Sequence, residues 1–137
     1  MGDPLRQFDF WLGEWQCSWQ GGRGRNRVEA ICEGRVIRES FDGGQGADLV
    51  GTSISLYDVP AGRWVQTWMD SQGSWFHLRG EFGDGAMELF TVAPDARGET
   101  KRMRFFDIAE DGLTWSWASS ADGVTWGELW RIAYQRV

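Results

Sequence analysis

The sequence predicts an all-β fold: an antiparallel meander β-barrel of about ten strands, preceded by a short N-terminal helix or plug. Three features predict it. Short runs of alternating apolar and polar residues recur, broken by glycine-rich turns about every 8–15 residues. Nearly all of those turns, among them GGRG, EGR, DVPAGR, DSQGS, GDG and AEDG, are short enough for hairpins, which favours a meander over a Greek key. A sheet of about ten hairpin-linked strands curls, and closing it removes both exposed edges. The 137 residues contain no fixed-period repeat and no linker, so they form one domain, 1–137.

Taken in order, Asp3 to Leu12 suits one short helix with Pro4 at its first position. Strands are expected at about 13–20, 25–33, 35–42, 48–57, 63–70, 74–83, 86–93, 100–108, 113–120 and 125–136. In the first, Trp15, Cys17 and Trp19 share the face that must point inward. A turn centred on GGRG sets Val28, Ala30 and Cys32 opposite them. The EGR turn then carries Ile37, Glu39 and Phe41 onto the same face, which makes Glu39 a candidate inward carboxylate. Near the C-terminus, Asp122-Gly123 is a strong two-residue hairpin signal. It pairs Trp117 with Glu128 and Trp115 with Trp130, so Glu128 stands among inward rings while Thr114, Ser116, Ala118 and Ser120 take the exterior.

The middle three strands have two readings. The turns DVPAGR and DSQGS place Ser53, Ser55, Tyr57, Trp64, Gln66, Trp68, Asp70, Trp75, His77, Arg79 and Glu81 on one face. The other carries Val50, Thr52, Ile54, Leu56, Val65, Thr67, Met69, Phe76, Leu78 and Phe82. Hydrophobicity favours the aliphatic face as core, whereas a ligand cavity is lined by mixed aromatic and polar groups. The loop Asp42 to Asp48 does not fix the choice, and a one-residue slip reverses it. The expectation adopted is that the aromatic-polar face points inward. The aliphatic residues then form an outer patch too large for a monomer, which requires a homodimer paired through these strands.

Composition narrows the partners. The net charge of −6 argues against nucleic acid, which needs clustered cations to neutralise phosphates. Two small basic clusters, Arg23, Arg25, Arg27 and Lys101, Arg102, Arg104, read as solvated loop and strand ends. No basic segment followed by an apolar run opens the chain, and no stretch reaches the ~20 apolar residues of a membrane helix. Two cysteines are too few for a disulfide framework, so a cytoplasmic protein with free, buried Cys17 and Cys32 is expected. The ten tryptophans stand out, since each buried aromatic removes on the order of 200 Å² from water.

The run Phe8-Asp9-Phe10-Trp11-Leu12-Gly13-Glu14-Trp15 resembles the opening of a family of small, mostly uncharacterised bacterial lipocalin-like (calycin-type) barrels. The resemblance continues through Gly51-Thr52-Ser53, Tyr57-Asp58, Gly62-Arg63-Trp64, Gln66-Thr67-Trp68, Asp70-Ser71, Asp122-Gly123, Thr125-Trp126 and Tyr134-Gln135-Arg136, covering nearly the whole chain. Gly13-x-Trp15 is also similar to the lipocalin signature, in which a glycine starts the first strand and the tryptophan packs across the closed end. That likeness implies a barrel base of Gly13 and Trp15 with an arginine lying over the ring, Arg136 first and Arg131 second, as a cation–π lid. It implies no activity.

Chemical motifs are sparse. One histidine, no CxxC and no HExxH exclude an ordinary zinc site, so no metal is expected. GGRG and GGQG lack the phosphate-cradle pattern, and no GxSxG elbow supports a triad. Barrels related by the resemblance can hold haem through a single His; a lone His77 on a strand is weak support, and no cofactor is expected. What remains is a polar group of Glu39, Tyr57, Gln66, Trp68, Asp70, His77 and Arg79, with Trp117 beside it, as ligand-binding residues. The expected function is binding of a small apolar or aromatic molecule in the lumen. The alternatives are an enzyme (isomerase, cyclase or hydrolase) using a lumen carboxylate and His77, and a closed structural or partner-binding barrel.

Overall fold

A computed structural model describes residues 2–137. Ten antiparallel strands follow in chain order: β1 (Gly13–Trp19), β2 (Gly22–Ile31), β3 (Val36–Gln45), β4 (Val50–Asp58), β5 (Arg63–Asp70), β6 (Trp75–Gly83), β7 (Ala86–Thr91), β8 (Thr100–Phe106), β9 (Gly112–Ser120) and β10 (Gly127–Arg136). Each pairs with its neighbour in sequence, and β1 pairs with β10, so the meander closes into a barrel without edges. The expected strands are all present. Among the described residues no helix is long and apolar enough to cross a membrane.

Before β1 lie two single-turn 3-10 helices, Pro4–Arg6 and Asp9–Trp11, where one short helix was expected. Asp3 caps the first by accepting from the Leu5 amide at 2.9 Å. These turns form a plug. Phe8 and Trp11 are fully buried, with Phe8 against Trp11, Trp64 and Phe105 at ring separations of 4.9, 5.3 and 5.1 Å. The Trp64 indole donates to Gln7 Oε1, and the Trp15 indole donates to the Trp11 carbonyl, tying the plug to two walls. Arg136 lies over the Trp15 ring at 4.1 Å. Its guanidinium also donates to the carbonyls of Leu12, Phe10 and Glu110. Gly13 has φ +132°, and a Cβ there would collide with the guanidinium, so this position requires glycine.

Three local registers depart from the sequence reading. The first hairpin turns on Gln20-Gly21, so Trp15 faces Asn26 and Cys17 faces Gly24. Val28 points inward as expected, but Ala30 is exposed and Cys32 lies beyond the strand in the β2–β3 turn. The two cysteines are free, yet only Cys17 is buried; Cys32 is exposed. At the last hairpin the turn sets Glu128 opposite Ala118 and so outward, where it binds Arg131, and a bulge between Glu128 and Trp130 then pairs Trp117 with Trp130.

The third departure decides the middle sheet. β4 and β5 place Ser53, Ser55, Gln66 and Trp64 in the interior, so the aromatic-polar face does point inward there. The β5–β6 turn is symmetric about Gln72, the centre of DSQGS, one residue short of the register that sets His77 opposite Trp68, and Asp70 closes it by accepting from the amides of Gln72 and Ser74. Trp68 therefore faces Phe76, and Thr67 faces His77. The slip brings Phe76, Leu78 and Phe82 inward and sends Trp75, His77 and Arg79 outward. Val50, Ile54, Leu56 and Met69 remain on the outer face, exposed.

Candidate functional site

Opposite the plug, the barrel opens. A cavity of about 560 Å³ descends from the β1–β2, β3–β4 and β5–β6 loops towards the middle of the barrel. Its walls are aromatic: Trp19 from β1, Phe41 from β3, Trp68 from β5, Phe76 from β6, Trp115 and Trp117 from β9, and Trp130 from β10. The rings brace one another. Trp115 and Trp117 lie parallel with centroids 6.4 Å apart, and Trp130 stands edge-on to Trp115 at 5.7 Å and to Phe41 at 5.9 Å. Phe76 meets Trp117 at 5.1 Å, and Phe41 meets Trp68 at 6.4 Å. These tilted and edge-to-face contacts are the arrangements that aromatic quadrupoles prefer, so the walls are preformed.

Small residues make room for the rings. A Cβ on Gly51 would strike the six-membered ring of Trp68, so glycine opposite Asp70 lets that indole lie along the wall. The Trp68 indole donates to Asp70 Oδ2 at 2.8 Å, while Asp70 Oδ1 accepts the turn amides. Asp70 thus orients one wall and holds the turn that leads to the next strand.

The floor is polar at one point. Glu39 is buried, and its two oxygens accept from Asn26 Nδ2 and Ser53 Oγ, each at 2.7 Å. Asn26 Nδ2 also donates to the Tyr134 hydroxyl at 2.9 Å. Among the described residues no cation adjoins Glu39, and burial pushes its carboxyl up to about 7 against the opposing pull of the Ser53 and Asn26 hydrogen bonds. Burial likewise pushes the Cys17 thiol up to about 12, and it raises the Tyr134 phenol well above its ordinary value. Two further buried acceptors, Asn26 Oδ1 and Gln66 Oε1, have no partner among the described residues.

Of the sequence-derived site residues, Glu39, Trp68, Asp70 and Trp117 meet around this cavity. Tyr57 and Gln66 face inward but sit nearer the plug: Tyr57 packs edge-on against Trp64, and Gln66 donates to Ser55. His77 and Arg79 are corrected. Both are exposed on the outer face, where the His77 ring nitrogen lies 3.4 Å from the Thr67 hydroxyl. Gly13, Trp15 and Arg136 lie together at the closed end. Trp19, Phe41, Phe76, Trp115, Trp130 and Tyr134 also line the cavity. Strand parity in the sequence already turned Trp19, Phe41, Trp115 and Trp130 inward, but it could not tell a filled interior from an open one.

The fold and this site define the molecule as a closed ten-stranded barrel, plugged at one end and open at the other into an aromatic cavity. No protein-family model matches the chain, and no curated protein matches it. Among the described residues, no three His, Cys, Asp or Glu side chains converge as a metal site.

Proposed function

We propose that the protein binds a small apolar or aromatic molecule in the barrel lumen. The observation that carries this reading is the cavity of about 560 Å³, walled by seven aromatic side chains around a single buried carboxyl. Ligand pockets run roughly 300–1,000 Å³ and combine apolar walls with a few placed polar groups. A protein interior elsewhere close-packed does not keep such a space without cost, because its lining forgoes contacts. The resemblance to small bacterial lipocalin-like barrels supports the same architecture without adding an activity. The catalytic alternative loses its pair, since His77 stands outside the barrel wall while Glu39 lies within. A titration with the neutral fluorophore N-phenyl-1-naphthylamine tests the reading. Saturable enhancement is expected, weakened at least tenfold by Trp117→Ala and unchanged by Trp126→Ala, whose ring packs on the outer face against Arg102. Absence of saturable binding, or equal binding by both variants, would refute it.

We also propose that two copies pair through the outer face of β4–β6. Val50, Ile54, Leu56, Met69 and Trp75 are 38–69 % exposed there, on three strands joined in register. Sedimentation should give a dimer that Ile54→Glu converts to monomer. A wild-type monomer at tens of micromolar would end this idea.

A further inference from the structure

The charges around the cavity are one-sided. Glu39, Asp48 and Asp70 line it, and among the described residues no Lys, Arg or His does. Glu39 is the deep member, and it lacks the cationic partner that a buried carboxylate ordinarily has. Its neighbours on every packed strand are neutral groups: Cys17 from β1, Asn26 from β2, Ser53 from β4 and Tyr134 from β10. Each carboxylate oxygen accepts one hydrogen bond, and a carboxylate offers about four acceptor sites, so capacity remains for a donor arriving from the cavity. The walls point the same way. Trp and Phe rings present negative faces, which attract an ammonium and repel an anion, and Trp is the strongest of them. The chain's net charge of −6 adds a field that draws cations and turns anions away.

We propose that the lumen is selective for a small hydrophobic amine, its protonated nitrogen seated on Glu39 and its apolar body held between the Trp68, Trp115, Trp117 and Trp130 rings. This deepens the lumen-binding reading and rests on it. The incoming ammonium is the missing counter-charge of Glu39. Empty, the carboxyl sits up at about 7, so near neutral pH it is about half protonated. An ammonium beside it favours the ionised form and drives the proton off, so binding at pH 7 releases about half a proton. Cys17 and Tyr134 face the same point but stay neutral at that pH, which leaves Glu39 as the group that titrates.

The test is displacement of the neutral fluorophore by three ligands sharing one ring: tryptamine, indole-3-propionamide and indole-3-propionate. Tryptamine is expected to compete at least tenfold more tightly than the amide, with the propionate weakest. Lowering the pH from 8 to 5.5 should weaken tryptamine about thirtyfold and leave the neutral fluorophore unchanged, a readout that needs no variant. Glu39→Gln should lose the preference for tryptamine over the amide, and lose the buffer-dependent heat that reports proton release in calorimetry. If the fluorophore binds but amide or propionate competes as well as tryptamine, amine selectivity is wrong while lumen binding stands. If neither the fluorophore nor any indole binds, both readings fall.

Discussion

The two ends of this barrel are built from the same residue type and behave differently. At the plugged end, Trp11, Trp15 and Trp64 are each 2 % exposed or less, and their indoles pack against Phe8, Phe105, Tyr134 or Arg136. At the open end, Trp19, Trp68, Trp115, Trp117 and Trp130 are only partly buried, and they brace one another around empty volume. What differs is the presence of Pro4–Trp11, which folds back into one end of the cylinder. A tryptophan is a core residue where chain fills the space beside it, and a ligand-facing residue where nothing does. The ten tryptophans therefore divide by location in the barrel more than by local sequence.

The sharpest way to break that comparison is to delete one ring from each end. Trp15→Ala should cost about 3–5 kcal/mol in urea unfolding, as a large-to-small change in a filled core. Trp115→Ala should cost less than about 2 kcal/mol, because much of its ring already faces the cavity. Equal losses would mean that the open end is packed as a second core.

Next in size is the pH dependence of the polar floor. The folded carboxyl of Glu39 is raised to about 7 from an unfolded value near 4.5. Its contribution to stability is thus fully present below about pH 4.5 and is lost as pH rises through 7. At about 1.4 kcal/mol per pH unit the loss is of order 3 kcal/mol. Wild type should weaken relative to Glu39→Gln by that order between pH 4.5 and 7.5. Parallel stability curves would show that the carboxyl is solvated. The window is distinct from that of Asp95 and Asp122, whose carboxyls hydrogen bonds hold down at about 2.

Arg136→Met keeps much of the apolar stem but removes the charge above Trp15 and three carbonyl contacts. A loss of about 1.5–3 kcal/mol is expected by thermal or urea unfolding, with fluorophore binding at the open end retained. A loss of binding with little change in stability would place the lid in communication with the cavity and undo the separation of the two ends. The smallest effect is chemical. A thiol reagent should label Cys32 alone in the native protein and both cysteines in denaturant, read by intact mass. Two native labels would mean that Cys17, between the two ends, is reached through an open barrel.

Much of this architecture is local information. Alternation with period two, glycine-rich turns and an Asp-Gly hairpin specify strands and their order, because each signal acts within a few residues. The inward placement of Glu39 was legible for the same reason: two short turns transmit facing from Trp15 to Ile37. His77 was misplaced because a one-residue error in register across the β5–β6 turn reverses every facing beyond it: the turn is symmetric about Gln72, which pairs Trp68 with Phe76 and sends His77 outward. Glu128 was misplaced because the last turn sets it opposite Ala118, one residue off Trp117, and a bulge before Trp130 then returns that ring to the interior.

The sequence by itself thus determined the number and order of the strands and their pairing with neighbours in the chain. Those features follow from near-neighbour sterics. Only the tertiary structure decided which end is filled, which rings surround open volume, and that Glu39 stands below them without a counter-charge. These are properties of space enclosed by residues distant in the chain, as with Trp15 and Arg136 paired across the closing seam. A one-residue shift across any turn exchanges lumen for solvent without changing the local pattern.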